Sequence, residues 1–264
     1  MEKDKIYIAT FSEGAEEATE RYGFGLELDH LCISENLNEE NWEKITEEMT
    51  KAAAGRRIIV HGPFTELIPC AIDERARELA MKRHMESIGI CRELGVKKLI
   101  LHSGWIPSMY FPSWQVERSV EYWKKLIAKA CAAPAGTAKA CAAPGEDFTI
   151  CVENVFEPEP DTLIEIIDGV GDPRLKICLD VGHANAVKTT GTVEEWIEKM
   201  GERIGHFHLH NNDGGSDSHG ELTDGALDME RILRLAEKRC PDATYTIESR
   251  KCGKSAAWLA ARAR

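Results

Sequence analysis

Histidines and carboxylates in this chain gather at the ends of short apolar runs. Asp29 and His30 follow GLEL, His61 follows RIIV, and His102 follows KLIL. Glu153 and Asn154 end one run, Asp180 ends the next, and His183 stands just beyond it. His206, His208 and His210 alternate with Phe207 and Leu209; Asp217 and His219 come next, and Glu248 ends TYTI. Neutral imidazole together with carboxylate is the ligand set of Zn²⁺, Mn²⁺ or Fe²⁺. Converging such groups without a counter-charge would be costly, and a divalent cation offsets that cost. Alternate residues of a strand face one way, so His206, His208 and His210 share a face but cannot all reach one ion. His208 is the expected ligand. His206, nearer the strand start, and His210, at its end, are expected to support it or to touch substrate.

Eight β-like runs must position these groups, at 6–11, 25–30, 57–64, 98–105, 148–155, 175–184, 205–213 and 244–250. They are rich in Ile, Val, Leu, Thr and Phe. Helical patterns separate them at 39–54, 73–94, 114–133, 161–167, 192–200 and 228–238, with a short one at 255–262. Trp42, Ile45 and Met49 form a helical stripe, and Gly95 is placed to end the third helix. Strand alternating with helix eight times predicts a single-domain (β/α)₈ TIM barrel over residues 1–264, closing with a truncated last helix. In that fold the strand ends meet at one mouth, where such enzymes place their active sites. The block AKACAAP occurs at 128–134 and again at 138–144, which reads as a local duplication lengthening a surface loop before strand five.

The 264 residues carry 33 basic and 45 acidic side chains, a net charge of −12. That balance argues against non-specific binding to nucleic acid or an anionic membrane. No apolar run approaches the roughly 18 residues of a membrane span, and the charged start does not have the form of a signal peptide. Nine cysteines, an odd number with no CxxC, read as reduced thiols of a cytoplasmic protein.

The ordered set HGPF, LHSGW, VENV, LDVGHAN, HFHLHNND, DSH and IES resembles the xylose-isomerase-like TIM-barrel superfamily over nearly the whole chain. That superfamily holds sugar isomerases and epimerases, and also the endonuclease IV abasic-site nucleases. The resemblance implies a divalent metal, Mn²⁺ or Zn²⁺, held by Glu153, Asp180, His208 and Glu248. Glu153 and Glu248 would also be the catalytic pair that moves the substrate proton. The nuclease branch adds ligands for a three-zinc cluster, and their matches are His61, His102, His183, Asp217 and His219. Two departures point away from that branch: FSEGAEEATE lacks its histidine after strand one, and DVGHAN is closer to the isomerase-like wording.

Charge extends the comparison. Expected loops at the mouth hold Glu13, Glu16, Glu17, Glu35, Glu39, Glu40, Glu157, Glu159, Asp161, Asp213, Asp217, Glu221 and Asp224, against Lys188, Arg250 and Lys251. A nuclease needs basic side chains for phosphates. WIPSMYFPSW (105–114) is aromatic and uncharged, suited to a wall against a sugar or to a contact in a homo-oligomer. The expectation is therefore a metal-dependent isomerase or epimerase of a small, unphosphorylated carbohydrate, working through an enediolate. His183, His210, Arg250 and Trp105 would bind the substrate. The alternative is a trinuclear-zinc phosphodiesterase or abasic-site endonuclease, and the third reading is a metal-binding barrel without catalysis.

Overall fold

The computed structural model describes residues 1–107, 109–132, 148–186 and 190–264. Each apolar run supplies a short strand: β1 Ile6–Ala9, β2 Gly25–Leu28, β3 Ile58–His61, β4 Lys98–His102, β5 Thr149–Glu153, β6 Leu175–Asp180, β7 Ile204–Leu209 and β8 Thr244–Ile247. Each pairs in parallel with the next, and β8 returns to β1, so the sheet is a closed barrel. The helices are α1 Ala15–Tyr22, α2 Glu39–Ala53, α3 Glu74–Glu93, α4 Pro112–Ala132, α5 Asp161–Val170, α6 Val181–Ala186, α7 Val193–Met200, α8 Met229–Arg239 and α9 Gly253–Ala260. This is the expected (β/α)₈ barrel, and its last helix is short, at eight residues.

Most boundaries follow local chemistry. Gly95 lies just past α3 with φ +67°, a conformation that costs glycine nothing. Thr192 and Glu195 cap α7 reciprocally. Three expectations need correction. The 175–184 run is a strand only to Asp180; VGHANA turns into α6, which swings His183 back over the mouth. Residues 15–22, expected as loop, are α1, so Glu16 and Glu17 lie in a helix's first turn. Glu39, Glu40 and Asp161 likewise occupy first turns of α2 and α5. Carboxylates there offset the positive end of the helix dipole. The duplicated block enters the end of α4, and the rest of it lies outside the described residues, as do Cys141 and Lys188.

Large apolar side chains fill the layer between sheet and helices, with Trp123, Trp196 and Phe207 fully buried. Inside the barrel lies a separate small cluster of Ile100, Cys151 and Cys178, where cysteine acts as a compact hydrophobe. All eight described cysteines are free. Among the described residues no helix is long and apolar enough to cross a membrane.

One irregularity matters for function. β7 pairs with β6 as Ile204 to Ile177, then as His206 to Cys178, so Gly205 is an extra residue in the ladder. The bulge places His208 opposite Asp180. Without it Asp180 would stand opposite Phe207, and a one-residue slip turns a side chain to the other face.

Candidate metal centre at the barrel mouth

β3, β4, β5 and β6 each end in a ligand-type residue: His61, His102, Glu153 and Asp180. His208 comes next to last in β7, and Glu248 directly follows β8. The segment between β7 and α8 brings His210, Asp217 and His219 back over the mouth. Together with His183 these residues form three adjoining groups, within each of which the ligand atoms lie within 4.8 Å of one another. The first holds His61, His102 and Glu153. The central one holds Glu153, Asp180, His208 and Glu248. The third holds His183, His210, Asp217 and His219.

Two carboxylates join the groups. Glu153 Oε2 lies 3.1 Å from His61 Nε2 and 3.4 Å from His102 Nε2. Its Oε1 lies 3.2 Å from His208 Nδ1. Asp180 Oδ1 meets His210 Nε2 at 3.1 Å, and Oδ2 faces His208 Nδ1 at 3.9 Å. Asp217 Oδ2 is 3.3 Å from His183 Nε2 and 3.2 Å from His219 Nε2. Glu248 Oε1 closes the central group 3.3 Å from His208 Nδ1.

The backbone settles which nitrogen three of these six rings present. His61 Nδ1 bonds Gly62 O, His183 Nδ1 bonds Asn154 O, and His219 Nδ1 bonds Glu248 O, at 2.8–2.9 Å. Each therefore turns Nε2 to its group. His208 is reversed: its Nε2 meets Glu27 Oε1 at 3.1 Å and its Nδ1 faces the central group. Asn154 ties β5 to β6, donating to Asp180 O and accepting from Asp180 N. His219 adopts φ +48°, an uncommon backbone for a non-glycine residue. Gly182 is required by close approach, since a Cβ there would lie 1.9 Å from His210 Cε1.

These side chains fit divalent cations. Asp180 Oδ2, His208 Nδ1 and both ring nitrogens of His210 are buried without a hydrogen-bond partner, and His210 Nε2 is near Asp180 but misaligned with it. Leaving such groups unsatisfied costs about 1–3 kcal/mol each, and they converge where a cation would satisfy them. Burial pushes Glu248 up to about 8, aided by the charges of Glu153, Asp180 and Glu27 and opposed by His208. Burial also works against ionisation of Glu153, but His208, His102 and His183 hold its carboxyl well below the usual range. His219 rises to about 9: burial lowers it, and Asp217, Asp180 and Glu248 more than compensate.

All nine ligand positions expected from the sequence meet here. His210 joins the third group, stacked on His219 with ring centroids 3.9 Å apart. His206 lies deeper, its ring nitrogens bonded to Thr244 and Thr246. Arg250 is exposed beside the third group, its Nε donating to Ser218 O. Trp105 is buried, and Phe111 is the exposed aromatic of its loop. Asp29 serves structure instead of the site, accepting from Thr10 Oγ1 and Phe11 N. The residue that sequence reasoning missed is Glu27, fully buried in β2 against His208. Its signal was a carboxylate at an alternate position within the apolar GLEL.

Comparison with known proteins agrees with this architecture. Residues 18–262 match the family described as xylose isomerase-like TIM barrel. Two uncharacterized proteins of Methanocaldococcus jannaschii, MJ1311 and MJ1614, are 28% and 26% identical over 73% and 68% of the chain. The chain spans 64% and 65% of their lengths. A D-tagatose 3-epimerase-like protein superposes with TM-score 0.74 at 23% identity, covering 96% of this chain and 95% of that one. The TTHB071 protein of Thermus thermophilus, soaked with ZnCl₂, superposes with TM-score 0.74 at 25% identity, covering 97% of each chain. The IOLI protein, solved with a bound zinc atom, gives TM-score 0.68 at 14% identity, covering 97% of this chain and 95% of that one. With the family match spanning almost all of the barrel, the chain belongs to the xylose isomerase-like TIM-barrel family.

Proposed function

We propose that the protein is a divalent-metal enzyme holding up to three ions, and that it hydrolyses a phosphate ester of a small polyhydroxylated substrate. The observation that supports this best is the set of three adjoining ligand groups, two of which share Glu153. His61, His102 and Glu153 would hold one ion; Glu153, Asp180, His208 and Glu248 a second; His183, His210, Asp217 and His219 a third. When bound, such ions supply Lewis acidity, neutralising phosphoryl charge and making water more acidic.

Charge arithmetic favours three ions over one. Glu27, Glu153, Asp180, Asp217 and Glu248 contribute five negative charges. One dication leaves 2 − 5 = −3 in a largely buried site, which repels phosphate; three leave 6 − 5 = +1, which attracts a phosphate dianion. A basic side chain at the mouth is then unnecessary. The acidic first turns of α1, α2 and α5 no longer argue against phosphate, because the helix dipoles account for them. The chain's own residues bind and orient: Asn154 fixes Asp180, Gly62 O fixes His61, and Glu248 O fixes His219.

A second reading is the sugar isomerase or epimerase, with one ion in the central group. It is favoured by Glu153 and Glu248 reaching the same His208 nitrogen from strands far apart in the barrel, at 3.2 and 3.3 Å. Two carboxylates so placed could remove and return a substrate proton. One set of measurements separates the readings. Protein stripped with chelator and reloaded with Zn²⁺ or Mn²⁺ is analysed for metal content, for cleavage of bis(p-nitrophenyl) phosphate and sugar phosphates, and for deuterium uptake into ketoses from heavy water. Phosphoester cleavage with more than one ion per chain is expected. A single ion with carbon-bound deuterium exchange and no cleavage would replace the first reading with the second.

A further inference from the structure

Five buried or half-buried side chains connect the floor of the barrel to His208. Lys98, at the start of β4, donates from Nζ to Gly205 O at 2.7 Å and to Thr244 Oγ1 at 2.6 Å. Thr244 Oγ1 lies 2.6 Å from His206 Nδ1, and His206 Nε2 lies 2.9 Å from Thr246 Oγ1. Thr246 donates to Glu27 Oε2, and Glu27 Oε1 meets His208 Nε2 at 3.1 Å.

The chemistry of the two ends gives this chain a direction. A lysine ammonium has protons to give and no lone pair, while an ionised carboxylate only accepts. Thr244 therefore receives from Lys98 and donates to His206 Nδ1. His206 must carry its proton on Nε2 and pass a hydrogen bond to Thr246, whose own proton goes to Glu27. Glu27 in turn accepts from His208 Nε2–H. A neutral His208 held this way has its lone pair on Nδ1, the buried atom without a hydrogen-bond partner that faces Glu153 and Glu248. The opposite tautomer would set a lone pair against Glu27 Oε1, whereas at Nδ1 a cation would stand between the lone pair and the oxygens of Glu153 and Glu248.

We propose that Lys98, Thr244, His206, Thr246 and Glu27 form a one-way hydrogen-bond relay that fixes the orientation and tautomer of His208, delivering Nδ1 to the central ion. Lys98 and Glu27 are thereby positioning residues for a metal that Lys98 never approaches. The relay rests on the metal reading above and is independent of which reaction the metal serves. It also explains why His208 alone among the histidines with a tethered nitrogen presents Nδ1.

The test measures Zn²⁺ affinity by competition with a chromophoric chelator, together with ¹⁵N spectra of the zinc-loaded, histidine-labelled protein. Thr246→Val is isosteric and cuts the relay next to Glu27; Glu27→Gln removes its acceptor charge. Both are expected to weaken the tightest site about 10–100-fold. Lys98→Met should weaken it in the same direction, and Lys98→Arg, which still donates, should restore most of the affinity. The unaltered protein should show His208 ligating through Nδ1 with Nε2 protonated. If Glu27→Gln does not fold, Thr246→Val and the Lys98 pair decide. Affinities of Thr246→Val and Lys98→Met within twofold of the unaltered protein, or Nε2 ligation by His208, would overturn the relay alone. An unaltered protein that binds no zinc would overturn the metal reading and the relay with it.

Discussion

Glu153 gives the sharpest test at the level of single residues, because two ligand groups depend on it. Glu153→Gln should cost two ions per chain, while Asp217→Asn should cost one, that of the third group. Metal analysis by mass spectrometry after dialysis checks both, and equal losses would contradict the shared-ligand arrangement. The convergence of the nine expected positions was legible mainly through His61, His102, Glu153, Asp180 and Glu248, which stand where apolar runs stop, since a barrel brings such stops together. Glu27 was not legible: it lies inside its run, and its partner His208 is 181 residues away. His210 was legible as a mouth residue, but its place in the third group depends on the return of Asp217 and His219 over it. Asp29 shows the converse, a strand-end carboxylate engaged by the backbone and hydroxyl of the neighbouring strand's exit.

Helix α3 and helix α4 meet at His84, which is fully buried, accepts from Tyr122 Oη at 2.7 Å and stacks on Trp123. Burial drives His84 down to about 3. The unfolded chain takes up this proton below pH ~6.5, while the folded chain does not until about pH 3. Stability is therefore lost as pH falls below the unfolded value, by about 1.4 kcal/mol per pH unit for this one group. His84→Gln keeps a hydrogen-bonding side chain and cannot titrate, so its denaturation midpoint should fall less steeply between pH 6 and about pH 4. Parallel slopes for the two proteins would refute the assignment. The elements themselves were mostly legible, but α1 and α6 were not. α1 buries only Ala15, Ala18 and Thr19, too small to make an apolar stripe. α6 is six residues long and begins with Val181, so it reads as a continuation of β6. The bulge at Gly205 was also hidden, since a ladder irregularity depends on the neighbouring strand.

The whole molecule is one closed sheet with its chemistry at one end, and the chain carries a net charge of −12. A duplex with or without an abasic site should bind more weakly than about 100 µM at physiological salt, where basic proteins bind non-specifically in the 1–100 µM range. Fluorescence anisotropy of a labelled duplex measures this. Tighter, salt-sensitive binding would restore a nuclease substrate. The closed barrel has one more consequence, for the timing of folding. Ligands of the proposed ions come from β3 through β8, and although β3 to β5 carry the whole first group, the central group needs both Glu153 and Glu248 and is finished only when β8 joins. Cations that bind only the completed barrel stabilise it by mass action, yet are absent from a transition state in which distant strands have not all met. Zinc should therefore leave the refolding rate nearly unchanged and slow unfolding in proportion to the affinity gained. Stopped-flow traces with and without metal would show that slowing, which makes the ions guardians of the native lifetime and spectators of its formation.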